Sequence, residues 1–89
     1  MIKPEAEPRE TMVKRLHMRS MRRGIKEMDL ILTRYAEARL AAMDAGMLEL
    51  YDGLLSENDQ DLYQWVTGQA MPPERFGPLM ADIRLIATG

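Results

Sequence analysis

Between Asp44 and Leu55 the apolar residues Met47, Leu50, Tyr51, Leu54 and Leu55 fall at i, i+3, i+4, i+7 and i+8, the stripe of an α-helix buried along one side. Apolar residues return at helical spacing elsewhere in the chain, and no segment alternates with period two for long enough to make a strand. A chain of 89 residues has room for one modest core. The predicted fold is therefore all-α, a compact bundle of about five short helices forming one domain over residues 11–89.

Punctuation divides the stripes. Met1 to Glu10 holds Pro4 and Pro8 without periodicity, which predicts a flexible tail over residues 1–10. Thr11 is the expected cap of a first helix reaching about Arg22, with Met12, Val13 and Leu16 on its apolar side and Gly24 as its terminator. A second helix is expected from Gly24 or Ile25 to about Ala38, with Ile25, Met28, Leu32 and Tyr35 along one face. Asp44 is the expected N-cap of the third helix, which Gly46 and Gly53 weaken. Asn58 or Asp59 should cap a fourth, carrying Leu62, Tyr63, Trp65 and Val66 and closing at Gly68. Met71-Pro72-Pro73 reads as extended, and Gly77-Pro78 as the cap and first residue of a last helix with Leu79, Ile83 and Ile86 inward.

Composition narrows the chemistry. The chain has no cysteine, which removes thiolate metal sites and thiol catalysis, and its one histidine, His17, removes multi-histidine sites. No Gly-rich phosphate loop, dinucleotide fingerprint or H-E-x-x-H helix is present. Asp59 and Asp61 stand at a helix start, where capping and the helix dipole account for them. Trp65 reads as a core anchor and His17 as an ordinary residue of the first helix. No catalytic or metal residue is assigned. No apolar run is long enough to span a membrane. The glutamates and prolines of Met1 to Glu10 fit neither a secretory signal nor a mitochondrial transit peptide, so the expected location is a bacterial cytoplasm rather than a mitochondrial matrix.

Charge is uneven along the chain. Residues 1–39 carry ten Lys/Arg against six Asp/Glu, net +4, and residues 40–89 carry two against eight, net −6. From Thr11 to Lys26 six basic residues occur with no acid, and Arg15, Arg19, Arg22 and Lys26 fall on one helical face. Such a stripe suits an acidic protein surface or a phosphate backbone, or is a solvated face balanced by the acidic second half.

Arg22-Arg23-Gly24-Ile25-Lys26-Glu27-Met28-Asp29 sets an Arg-Gly-x-x-Glu unit at the junction of the first two helices. Arg23 and Glu27 are four apart and able to pair on the surface, and Gly24 leaves a bare spot where another backbone fits. A guanidinium fork and a carboxylate beside a bare glycine make a directional docking face. With Leu54-Leu55 and Asp59-Gln60-Asp61-Leu62-Tyr63-Gln64-Trp65-Val66 following in order, the chain over about residues 19–86 resembles the bacterial and mitochondrial succinate dehydrogenase flavinylation (FAD) assembly factors. Met28 stands where leucine is common in that family, and Gly46 and Gly53 loosen the third helix.

The resemblance implies a five-helix bundle that binds the flavoprotein subunit of succinate dehydrogenase and promotes covalent attachment of FAD to it, without itself being an enzyme. It implies partner contact through Arg23, Gly24 and Glu27. Arg19, Arg22, Lys26 and Asp29 lie around them as further contacts. FAD would belong to the partner, with none stably held by this chain, and fumarate reductase is a second candidate client. Neither nucleic acid nor membrane insertion is expected. The alternative, a small helical nucleic-acid-binding or antitoxin-like protein, rests on the Arg15/Arg19/Arg22 stripe, against an overall net charge of −2.

Overall fold

The structure, a computed structural model, describes residues 7–88. They form five α-helices: α1 (Arg9–Arg19), α2 (Lys26–Arg39), α3 (Ala45–Leu55), α4 (Asp59–Thr67) and α5 (Gly77–Thr88). Short 3₁₀ turns, Leu40–Ala42 and Glu74–Phe76, precede α3 and α5. The all-α fold stands as the periodicity predicts. Helix α2 is the hub, packing against α5, α1 and α4, while α1 also lies on α3 and α4 on α5.

The expected stripes supply most of the core, though Ile25, Met47, Leu50 and Ile86 are only partly buried against it. Met28, Leu32 and Tyr35 of α2, Tyr51, Leu54 and Leu55 of α3, Leu62 and Trp65 of α4, and Leu79 and Ile83 of α5 are all buried. Tyr35 and Tyr51 meet with ring centroids 5.7 Å apart, and Trp65 and Phe76 at 6.3 Å, both within the range of favourable aromatic pairs. Phe76 and Leu48, absent from the sequence stripes, are fully or almost fully buried. Phe76 belongs to a three-residue 3₁₀ turn, too short to show a period.

Several boundaries move, each for a local reason. Helix α1 begins at Arg9, two residues ahead of the expected cap Thr11, because Pro8 holds an extended backbone and its carbonyl accepts from Met12 N–H at 3.0 Å. Of the tail expected over 1–10, residues 1–6 lie outside the described residues, and Glu7 is tied to Arg15 by a 3.0 Å ion pair. At its other end α1 stops at Arg19 rather than Arg22. Buried Ser20 closes it, with Oγ 2.7 Å from the Leu16 carbonyl oxygen and 2.6 Å from the Tyr51 hydroxyl. The left-handed residue beyond the helix is Arg22, at φ 55°, and not Gly24. Gly77 is already the first helical residue of α5, leaving Pro78 second.

Two caps form as read. Asp44 accepts from Met47 N–H at 2.8 Å, and Asn58 from Gln60 N–H at 2.8 Å. Gly68, at φ 81°, closes α4 in the left-handed region that glycine adopts without penalty. Asp44→Ala should therefore destabilise the domain by about 0.5–2 kcal/mol in urea unfolding; an unchanged midpoint would show that α3 starts without this cap.

Polar staples complete the bundle. Asp82 of α5 accepts from the Tyr35 hydroxyl at 2.8 Å and from two nitrogens of Arg39 at 3.0 and 3.1 Å, which fastens α5 to α2. The basic stripe of α1 is used in the same way. Arg15 meets both Asp52 oxygens at 3.1 Å, and Arg19 pairs with the same carboxylate and with the Asp52 carbonyl oxygen at 3.1 Å. Two members of the stripe on which the nucleic-acid alternative rests are thus turned onto α3.

Hydrogen bonds from Arg15, joined by its charge and by Arg19, hold the Asp52 carboxyl below the usual carboxylate range against the opposing effect of burial. The unfolded chain, with the higher pKa, takes up the proton first. The stabilisation is complete above about pH 5, begins to fall as the unfolded carboxyl takes up its proton, and disappears as pH falls through the folded-state value. Asp52→Asn should lower stability at pH 7 and flatten the loss between pH 5 and pH 3, as measured by urea unfolding across that range. A mutant with the wild-type acid dependence would show that another carboxylate governs it.

Candidate functional site

The Arg-Gly-x-x-Glu unit lies where three pieces of chain converge: the loop between α1 and α2, the turn between α3 and α4, and the first residue of α4. Ser20 leaves α1 buried, so the loop starts from a fixed point. Arg22 then takes its left-handed turn, its N–H donating to Asp29 Oδ2 at 3.1 Å, while Asp29 Oδ1 accepts from Thr33 Oγ1 at 3.3 Å. A non-glycine residue in this conformation costs roughly 1–3 kcal/mol unless its surroundings hold it there. Asp29 supplies that hold and is engaged within the chain.

Arg23 turns inward. Its side chain is only 12% exposed, and its Nε donates to Asp59 Oδ1 at 2.7 Å. Its remaining nitrogens donate to the carbonyl oxygens of Arg19 at 3.1 Å, Leu55 at 3.0 Å and Glu57 at 3.4 Å. One guanidinium thus serves the open carbonyls at the C-terminal ends of α1 and α3, where a cation is favoured, and a carboxylate at the start of α4. The expected surface pair between Arg23 and Glu27 does not form among the described residues. A carboxylate 36 positions away and three carbonyls outcompete a neighbour one helical turn along.

The other oxygen of Asp59 accepts from Gly24 N–H at 2.6 Å. A Cβ built at Gly24 would stand 3.0 Å from that oxygen. The close approach to this glycine is therefore made by the protein's own Asp59. Asn58 performs the capping of α4, which frees Asp59 from the capping role read for it.

Glu27, in the first turn of α2, is exposed and makes no ion pair among the described residues. Arg22, Gly24 and Lys26 are exposed beside it, while Arg19, Arg23 and Asp29 are partly covered. Consecutive loop residues line two shallow depressions. One, of about 470 Å³, is formed by Arg23, Gly24, Ile25, Glu57, Asn58, Asp59 and Gln60. The other, of about 440 Å³, has exposed Met21 and Leu30 between Arg22, Asp29, Thr33, Arg34 and Glu37. Asp59 and the carbonyls of Leu55 and Glu57 are the parts of this site that the motif alone does not disclose. Their only sequence signal is an acid directly after a cap that leaves its carboxylate spare.

Trp65 is 8% exposed against Phe76, which leaves no free face for a flavin. Among the described residues no group of three His, Cys, Asp or Glu is placed to hold a metal, and no helix is long and apolar enough to cross a membrane.

The described residues thus form a small helical bundle whose connecting loop is tied down from beneath, with a charged first turn of α2 outward. The chain belongs to the family described as "Flavinator of succinate dehydrogenase", whose profile matches residues 14–87. It is 46% identical over 66 residues to "Succinate dehydrogenase assembly factor 2, mitochondrial" of Meyerozyma guilliermondii, covering 74% of this chain and 49% of that protein. The protein of the same description from Yarrowia lipolytica is 43% identical over 86 residues, covering 91% of this chain and 59% of that one. That of Schizosaccharomyces pombe is 37% identical over 70 residues, covering 79% and 50%. The chain spans about half the length of these relatives. Their mitochondrial descriptions correct the cytoplasmic location expected from Met1 to Glu10. Ten residues at the edge of a chain half as long as its relatives are no guide to compartment.

Proposed function

We propose that the chain is an assembly factor for succinate dehydrogenase, binding its flavoprotein subunit directly and promoting covalent attachment of FAD to that subunit. The observation that carries this reading is an exposed Glu27, without an ion pair among the described residues, in the first turn of α2 just beyond a loop that Arg23 fixes from below, in a chain of the flavinator family. A backbone fixed before contact loses little entropy on binding, which favours docking over a loose encounter. Arg23, Gly24 and Glu27 form the contact unit. Glu27, with exposed Arg22 and Lys26, faces the partner, and Arg19, Arg23 and Asp29 hold that face in place.

The chain acts as a non-catalytic factor. FAD is the substrate of the partner's reaction, and this chain keeps none. By favouring one conformation of the flavoprotein subunit it raises the population in which the attachment proceeds. Mixing the purified chain with flavin-free flavoprotein subunit should give a complex by calorimetry, and FAD added to that complex should become covalently bound faster than without the chain. Absence of both effects would remove this reading. A submicromolar complex with duplex DNA at physiological salt would favour the nucleic-acid alternative, since binding through phosphate contacts alone lies in the range of about 10⁻⁴–10⁻⁶ M.

A further inference from the structure

Resting on that reading, we infer that Asp59 is the positioning residue of the contact face, and that Gly24 is a glycine in order to admit the Asp59 carboxylate rather than the partner. The carboxylate spans two successive residues of the motif. Oδ1 takes Arg23 Nε at 2.7 Å and Oδ2 takes Gly24 N–H at 2.6 Å. Both are charge-assisted hydrogen bonds, the stronger kind. Together they fix the side chain of one residue and the backbone of the next, immediately before the turn that carries Glu27.

The carboxylate cannot give way freely. The Asp59 side chain is 18% exposed, and the guanidinium that holds it is itself bound to carbonyls on two helices. Gly24 does not have the positive φ of Gly68, so an alanine there meets no backbone penalty. The neighbour closest to its Cβ is Asp59 Oδ2, at 3.0 Å. The glycine requirement is thereby assigned to a contact inside the chain. Asp59 itself need not touch the partner; it acts through Arg23 and Gly24 on the presentation of Glu27.

A double-mutant cycle on binding to purified flavin-free flavoprotein subunit separates the two readings of the glycine. Gly24→Ala in the wild-type background and Asp59→Ala should each weaken binding by roughly tenfold or more, the effect of losing a hydrogen bond to a charged group. In the Asp59→Ala background the alanine at position 24 should cost nothing further, because the carboxylate it would strike is gone. An equal fold-loss from Gly24→Ala in both backgrounds, or wild-type affinity for Asp59→Ala, would overturn the inference. Should Asp59→Ala unfold, Asp59→Asn keeps the volume and removes the charge. It should bind less tightly than wild type, and unchanged affinity would count against the positioning role.

A partner-free readout accompanies the cycle. Hydrogen exchange of the Gly24 amide should accelerate in Asp59→Ala while amides in the middle of α2 keep their protection. An unaltered Gly24 rate would contradict the contact. If the wild-type chain bound no flavoprotein subunit at all, the proposed function would fail, and the exchange measurement would still decide whether Asp59 holds the loop.

Discussion

Trp65→Ala is expected to destabilise the bundle by about 3–5 kcal/mol, the usual cost of truncating a large buried aromatic. The indole is 8% exposed and lies against Phe76, at the junction where α4 meets α5. The Trp65 carbonyl oxygen accepts from Arg84 at 3.0 and 2.6 Å, which ties the same turn of α4 to α5 through the backbone. Those bonds survive the substitution, so the vacated volume is bordered by helices that are still fastened and unable to collapse into it. A domain of this size has a small margin of stability, and a loss of this magnitude should leave a measurable unfolded fraction at 25 °C. Urea unfolding followed by circular dichroism checks it. A shift below about 1 kcal/mol would mean that the indole is not an anchor of the core.

Glu27→Lys should have the opposite profile, with its large effect on binding and little on folding. Glu27 is exposed and makes no ion pair among the described residues, and its replacement loses a favourable interaction with the first turn of α2. At a docked face the lysine would set cation against cation or leave a partner group without its counter-charge. Breaking a buried, hydrogen-bonded charge pair in this way costs about 2–5 kcal/mol, roughly a thirtyfold or greater rise in Kd. Calorimetry against the flavoprotein subunit, with urea unfolding as the stability control, reads both halves. A folded Glu27→Lys chain with wild-type affinity would remove Glu27 from the contact.

The residues that were legible in the sequence are those whose partners are close in the chain or recur with a period. The stripe Met28, Leu32 and Tyr35 repeats once per helical turn, and Asp44 caps a backbone N–H three residues away. Both follow from local geometry. Phe76 and Leu48 escaped, the first for want of a period and the second because it lies one position from residues that form the more regular stripe.

The motif was legible as a string but not as a geometry. Nothing between Arg22 and Asp29 says that Arg23 turns inward, since its acceptors besides the Arg19 carbonyl are supplied by Leu55, Glu57 and Asp59, all more than thirty positions along. The left-handed turn was expected at glycine by its conformational freedom, yet it falls at Arg22, where Asp29 receives the backbone N–H. Of the readings open for the basic stripe, balance by the acidic second half describes Arg15 and Arg19, and the pairing could not be placed from spacing for the same reason. Asp52, which pairs with both Arg15 and Arg19, lies on a helix that sequence spacing does not bring near.

The central claim, that this face acts on flavin attachment by contact, is tested most directly by in-gel flavin fluorescence of the denatured succinate dehydrogenase flavoprotein subunit from cells lacking their own factor. Denaturation removes flavin that is merely bound, so the signal reports the covalent bond alone. The wild-type chain should restore the fluorescent band, and Glu27→Lys, present at the same level and folded, should leave it near background. No band with the wild-type chain, or a full band with folded Glu27→Lys, would contradict the account.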